Sequence, residues 1–196
     1  MSGLTGRTAA DRQCALLAWY RVHGRHQLPW RLTRDPYAIL VSEVMLQQTQ
    51  VDRVVPYWTS WMQRWSTAQA LARAKRADVI RAWAGLGYNS RAVRLHRLAI
   101  ATTSTPDVQK LFSYSHELEN SSDRVARERG LCRLPGIGPY TANALLAFTW
   151  NLPAPCVDTN VRRVLAHAIV RRHAIMTMPL ADVMRIAARV IPSGKA

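Results

Sequence analysis

Apolar residues recur at helical spacing along almost the whole chain. Val51, Val54, Val55, Trp58, Met62 and Trp65 fall at i, i+3, i+4, i+7, i+11 and i+14, which is one face of a helix. The pair Asp35-Pro36 predicts where the preceding helix starts, with the aspartate as N-cap and the proline in the first turn. Ser66 and Gln69 have the spacing of a capping box and predict a short helix reaching residue 74. Another is expected over residues 77–84, stopping at Gly85, where a left-handed terminal residue costs least. Residues 89–100 carry Ala92, Leu95, Leu98 and Ala99 inward and set Arg91, Arg94 and Arg97 along another ridge. Val161, Val164, Leu165, Ala168 and Ile169 mark a late helix. No segment alternates with the period of two that a half-buried strand needs, so the fold class is all-α. Residues 102–129 open on Thr-Thr-Ser-Thr-Pro and show poor periodicity up to Val125, which predicts a partly helical, mobile connection. There is no internal repeat of fixed period.

Composition narrows the class of protein. The 196 residues are 48% apolar and 20% charged, a core-forming balance. Lys and Arg number 27 against 12 Asp and Glu, a formal charge of +15, and 24 of the cations are Arg. An arginine-dominated folded domain of this charge is most simply a binder of polyanions. The plainer alternative is a set of solvated side chains reflecting base composition. The longest apolar runs, such as residues 15–20, are far too short to cross a membrane, and the polar first twelve residues lack a signal-peptide pattern. Cys14, Cys132 and Cys156 are too few and too widely spaced for a disulfide framework or a metal knuckle, so no metal site is expected.

Three local motifs can carry chemistry. In Leu134-Pro-Gly-Ile-Gly-Pro-Tyr-Thr141, Gly136 and Gly138 allow a tight turn and Pro139 pre-sets the next helix. Amides around the two glycines would face outward, open to a phosphate oxygen at the positive end of a helix dipole. This is the pattern of a helix-hairpin-helix, which grips DNA without reading its sequence; an ordinary interhelical turn is the alternative. Glu43 follows Ile39 and Leu40 at four and three residues and precedes Leu46 by three, so helical spacing places it on the buried stripe. A desolvated carboxylate without a cationic partner is pushed towards its protonated form and can act as a general acid; a salt bridge to an arginine is the equal alternative. The run Gln47-Gln48-Thr49-Gln50 suits hydrogen bonding to bases at a helix end. Asp158, in Val157-Asp-Thr-Asn-Val161, reads first as an N-cap. It gains a catalytic reading only if it shares a site with Glu43, since two carboxylates in different environments suit cleavage of a glycosidic bond.

Taken in order, Leu28-Pro-Trp-Arg31, Asp35-Pro-Tyr37, Ser42-Glu-Val-Met-Leu-Gln-Gln-Thr-Gln-Val51, Gly85-Leu-Gly-Tyr88, the hairpin at 134–141 and Val157-Asp-Thr-Asn-Val-Arg-Arg-Val164 resemble MutY-type adenine DNA glycosylases of the helix-hairpin-helix base-excision superfamily. The resemblance implies an endonuclease III-like fold. A six-helix-barrel domain would span residues 30–150, with the hairpin unit at 124–150, and residues 1–29 with 151–196 would form a second helical domain. It also implies roles. Glu43 would protonate the adenine, Asp158 would stabilise the sugar cation with Asn160 in the same loop, and Tyr140 would support the site. Related lyases hold a lysine where Tyr140 stands, so base removal without efficient strand cleavage is expected. Trp30, Arg31, Leu46 and Val51 would surround the extruded base; Gln48 and Tyr88 would wedge into the duplex; Thr49 and Leu86 would add contacts. The family's [4Fe–4S] cluster needs four cysteines in a region that the chain, ending at Ala196, does not contain, so no cofactor is expected here. The domain that helps recognise 8-oxoguanine is likewise absent from the sequence.

The expected substrate is adenine mispaired with 8-oxoguanine or guanine in double-stranded DNA. No membrane and no small-molecule substrate is expected, and the protein is read as a monomer. Its place would be the bacterial cytoplasm beside the nucleoid or, in a eukaryote, the nucleus or mitochondrion. Two rivals stand beside this reading: a mismatch thymine or uracil glycosylase of the same superfamily, and a DNA-binding remnant without activity.

Overall fold

The computed structural model describes residues 8–112, 121–167 and 177–191. Its regular elements among these residues are helices, without a strand. The chain divides into two compact units, Gln27–Trp150 on one side and Met1–His26 with Asn151–Ala196 on the other.

Within Gln27–Trp150, helix α2 (Pro36–Met45) is the axis. The Asp35 carboxylate accepts from the Tyr37 N–H at 2.9 Å, and Pro36 opens the first turn, as Asp35-Pro36 predicted. Every residue of α2 is buried. A helix apolar on all sides belongs inside a protein, and this one packs against α3 (Val51–Arg64), α6 (Ser90–Ser104) and α9 (Pro139–Trp150). Ser42 satisfies its buried hydroxyl by donating to the Ile39 carbonyl at 2.7 Å. Aromatic rings fill the space beside it: Trp61 meets Trp65 and Trp83 edge-on at 4.8 and 5.5 Å between centroids.

Helices α4 (Ala68–Ala72) and α5 (Arg76–Trp83) lie against α6, and α7 (Pro106–Phe112) joins α6 to α8 (Ser121–Cys132). The short α4 departs from expectation: its N-cap is Thr67, whose hydroxyl accepts from Ala70 at 3.1 Å, not Ser66. Both residues satisfy the capping chemistry, and the one-residue shift puts Leu71 fully inside. Helix α6 runs to Ser104, four residues beyond the apolar pattern, because Thr102 is buried and returns its hydroxyl to the Ala99 carbonyl at 2.8 Å. Much of the expected connection at 102–129 is therefore helix; residues 113–120 lie outside the described residues.

In the other unit, α1 (Ala9–His23) begins at Thr8, whose hydroxyl and the Asp11 carboxylate form a reciprocal capping box. Helices α10 (Thr159–Leu165) and α11 (Leu180–Ala188) share a small core of Val157, Leu165, Ala166, Val183 and Ala187. Of the residues that marked this late helix, Val164 is exposed, and Ala168 and Ile169 lie outside the described residues.

Candidate active site and DNA-facing loops

Glu43 is 8% exposed, in the last turn of α2, in a helix whose other nine residues are uncharged. Its carboxyl group has been taken out of bulk water, the condition a general acid needs. Trp30 lies on a short 3-10 turn (Pro29–Arg31) ahead of α2; it is buried and meets Trp58 edge-on at 6.0 Å. Arg31 is exposed, and Leu46 and Val51 are half-buried at the two ends of the loop that joins α2 to α3.

That loop holds the glutamines. Gln48 is exposed and adopts φ 57°, and Tyr88, 67% exposed after α5, adopts φ 48°. Left-handed backbone is uncommon for residues other than glycine, and two instances in exposed polar and aromatic residues mark these segments as unusual. Gly85 and Gly87 lie beside Tyr88, and Gly85 (φ 103°) has no room for a side chain because the Tyr57 hydroxyl sits where its Cβ would be. Leu86, expected to add a DNA contact, has its side chain buried instead.

Arg91 links the two segments from inside the protein. Expected along an outward ridge, it is 5% exposed. Its Nη1 donates to the carbonyls of Val44 and Met45 at 3.0 Å and to that of Gln47. Its Nη2 donates to the carbonyls of Leu86 and Gly87 at 2.9 and 3.0 Å and to Thr49 Oγ1 at 3.2 Å. The guanidinium lies 5.3 Å from the Trp83 ring centroid and 5.8 Å from that of Tyr88. Burial pulls its pKa down from the ordinary arginine value, with Tyr88 acting in the opposite sense. The spacing held the signal: Arg91, Leu95, Leu98 and Thr102 fall at i, i+4, i+7 and i+11 on one buried stripe.

The hairpin follows the expected form. Helix α8 ends at Cys132, the Ile137 N–H donates to Leu134 O at 3.2 Å to close the turn, and Pro139 begins α9. Gly136 takes φ 84°, and a Cβ there would lie 3.2 Å from Arg94 Cβ; the space beside Gly138 is open. Among the described residues neither glycine amide has a backbone partner. Asn143, fully buried on α9, ties the hairpin's helices together by donating to Glu128 Oε1 at 3.1 Å and to the Pro139 carbonyl at 2.9 Å. Tyr140, in the first turn of α9, is 39% exposed.

Asp158 belongs to the other unit, where it caps α10 as predicted. One carboxylate oxygen accepts from the Val161 N–H at 2.7 Å and the other from Asn160 Nδ2 at 3.2 Å, so Asn160 orients the carboxylate. The side chains of Val157, Asp158, Thr159, Arg162 and Leu180 line an open depression. The three cysteines cannot supply the four thiolates of a [4Fe–4S] cluster, and no group of three His, Cys, Asp or Glu is gathered for a metal among the described residues. No helix among those residues is long and apolar enough to cross a membrane.

A chain whose described elements are all helices, with a glycine hairpin between two of them and a buried glutamate ahead of a glutamine loop, falls within a known class. The chain belongs to the HhH-GPD superfamily of base excision DNA repair proteins, whose family model matches residues 41–178. It is similar to the adenine DNA glycosylase of Mycolicibacterium smegmatis, 47% identical over 156 residues that make up 79% of this chain and 48% of that one. The adenine DNA glycosylase of Homo sapiens is 41% identical over 159 residues, 77% of this chain and 27% of the human one. The chain thus spans about half the length of the mycobacterial relative. Among solved structures it is similar to a thermostable thymine-DNA glycosylase, with a TM-score of 0.77 at 21% identity, covering 95% of this chain and 80% of that one. A trapped endonuclease III–DNA covalent intermediate gives a TM-score of 0.70 at 18% identity, with 95% and 80% covered. At such identities the likeness is one of fold, and it is the all-α, endonuclease III-like fold that the motifs implied.

Proposed function

We propose that the protein removes adenine mispaired with guanine or 8-oxoguanine from double-stranded DNA, acting as a monomer on a mismatch-containing duplex. Its workplace would be the chromosome, in the bacterial cytoplasm or, in a eukaryote, the nucleus or mitochondrion. The observation that carries the reading is Glu43, a carboxyl group sequestered on an otherwise uncharged helix directly before the Gln47–Gln50 loop. The adenine DNA glycosylases to which the chain is similar support the choice of base.

In this mechanism the hairpin amides at Gly136 and Gly138 hold a backbone phosphate. Gln48, Thr49 and Tyr88 engage the duplex and the target nucleotide leaves the stack. Trp30, Arg31, Leu46 and Val51 receive the base, with Tyr140 supporting the site. Protonated Glu43 gives its proton to a ring nitrogen of the adenine, so that the C1′–N9 bond breaks with its electron pair leaving on a neutral base. The Asp158 carboxylate, fixed by Asn160 and the Val161 N–H, stabilises the oxocarbenium-like sugar until water adds to C1′. No side chain amine is placed for a Schiff base at Tyr140, so the product is an abasic site in an uncut strand.

Single-turnover excision on duplexes carrying A:8-oxoguanine, A:G, T:G and A:T, with alkali to reveal abasic sites, tests this. Release is expected from the first two alone, and Glu43→Gln should lose about a thousandfold or more of the rate while duplex affinity holds. Release from T:G instead would favour a pyrimidine glycosylase. Salt-sensitive binding without abasic product at enzyme excess would reduce the protein to a DNA-binding module.

A further inference from the structure

The two exposed segments that would enter DNA share an internal support. Left-handed backbone at Gln48 and Tyr88 is sterically disfavoured for both side chains, so something outside the segments must hold each in place. Local bonds hold each segment only in part: the Thr49 N–H reaches Leu46 O at 3.3 Å, the Leu86 N–H reaches Trp83 O at 3.1 Å, the Arg91 N–H reaches Tyr88 O at 2.9 Å, and Trp83 Nε1 donates to the Gly87 carbonyl at 3.0 Å; none of these joins one segment to the other. The carbonyls that flank them converge instead on one guanidinium. Nη1 collects the C-terminal oxygens of α2 leading into Gln48, and Nη2 collects Leu86 and Gly87 leading into Tyr88. Thr49 is bonded from Nη2 and lies 3.5 Å from the Leu86 carbonyl, so the two segments also meet directly there.

We propose that Arg91 is a clasp that locks the Gln48 and Tyr88 segments to one another, so that both are presented to the duplex as one pre-formed wedge. It is a positioning residue for base extrusion, and this rests on reading residues 48 and 88 as the wedge. A cation buried among neutral oxygens is expensive to keep for stability alone, and lysine could not replace it: an ammonium is a single point, whereas the planar fork reaches both segments at once. Pre-organisation is the gain, because a wedge ordered only on contact with DNA would have to meet that ordering cost from its binding free energy.

The test compares the parent with Arg91→Met, which keeps much of the stem, with Arg91→Lys, which keeps the charge, and with Arg97→Met, which removes an exposed arginine of the same helix. Hydrogen exchange on the free proteins is read first. In both Arg91 variants amides of 46–50 and of 85–89 should exchange faster together, by about tenfold, while those of 39–44 and 92–99 hold. Arg97→Met should match the parent. Excision from A:G should fall about a hundredfold in the Arg91 variants. On a duplex whose adenine faces an abasic-site analogue, and so starts unpaired and easier to extrude, the loss should stay within about fivefold.

Faster exchange in one segment alone, or in neither, overturns the clasp. So does exchange rising equally through α2 and α6, which would make Arg91 a general core residue, and so does an equal loss on both substrates. If the parent removes adenine from neither duplex, the proposed function fails while the exchange measurement still decides the clasp.

Discussion

The two hairpin glycines are there for different reasons, and a methyl group tells them apart. Gly136 has φ 84° and its Cβ would press on Arg94 Cβ at 3.2 Å, so Gly136→Ala meets both backbone strain and a steric conflict. A cost of about 1–2 kcal/mol in stability is expected, read as a lower Tm. Gly138 has ordinary backbone and open space beside it. Gly138→Ala should therefore stay within about 0.5 kcal/mol of the parent. Yet on the proposed function it stands where a phosphate must come close to an amide, so its duplex affinity should fall about fivefold or more, alike for matched and mismatched DNA. A Gly138→Ala protein that binds DNA as the parent does would show that the phosphate is not held there. Glu43 and Arg91 make the same point about chemistry and position. Helical spacing places both on buried stripes, and the structure buries both despite their charge.

At the scale of elements, α2 is fixed from three directions, and Tyr37 is the joint in one of them. Its hydroxyl accepts from Trp61 Nε1 at 3.2 Å and donates to the Trp65 carbonyl at 3.0 Å, and burial pushes its pKa above the ordinary tyrosine value, so it remains a donor. Tyr37→Phe leaves an indole N–H and a carbonyl without their partner in the core, at a cost of about 1–3 kcal/mol. Thermal melting should show that loss, while excision well below the melting temperature stays close to the parent's, because nothing near Glu43 has changed chemically. The main helices of this unit were legible because burial sorts apolar residues by period: Asp35-Pro36 opened α2, the Val51 to Trp65 stripe drew α3, and Leu134 to Thr141 drew the hairpin. Capping was less legible, because adjacent hydroxyls compete. Thr67 displaced Ser66, and the box of Thr8 with Asp11, carrying the shorter acid in place of Glu or Gln, left α1 undrawn. Left-handed backbone at Gln48 and Tyr88 has no signature in side-chain type; it belongs to the tertiary setting of the two segments, to which Arg91 and Trp83 both donate hydrogen bonds.

For the molecule as a whole the relevant quantity is charge, 27 basic groups against 12 acidic over 196 residues. Each phosphate neutralised on binding releases condensed counterions, so the proposed function requires affinity that falls steeply with salt. With about six phosphate contacts the loss between 50 and 200 mM would be about a thousandfold. Charge reads no sequence, whereas discrimination between mismatched and matched DNA is assigned to an uncharged set, the glutamine loop and the apolar residues around the base. Those contacts release few counterions. The two contributions should therefore separate in a titration of matched and A:G duplexes across that salt range: both dissociation constants rise together, and their ratio stays constant within about threefold. A ratio that collapses with salt would mean that the mismatch is recognised through extra phosphate contacts, made by bending the duplex further onto the arginines. In that event the hairpin and the arginine-rich surface, not the Gln48 and Tyr88 segments, would carry the discrimination, and loosening the clasp at Arg91 should leave the ratio untouched.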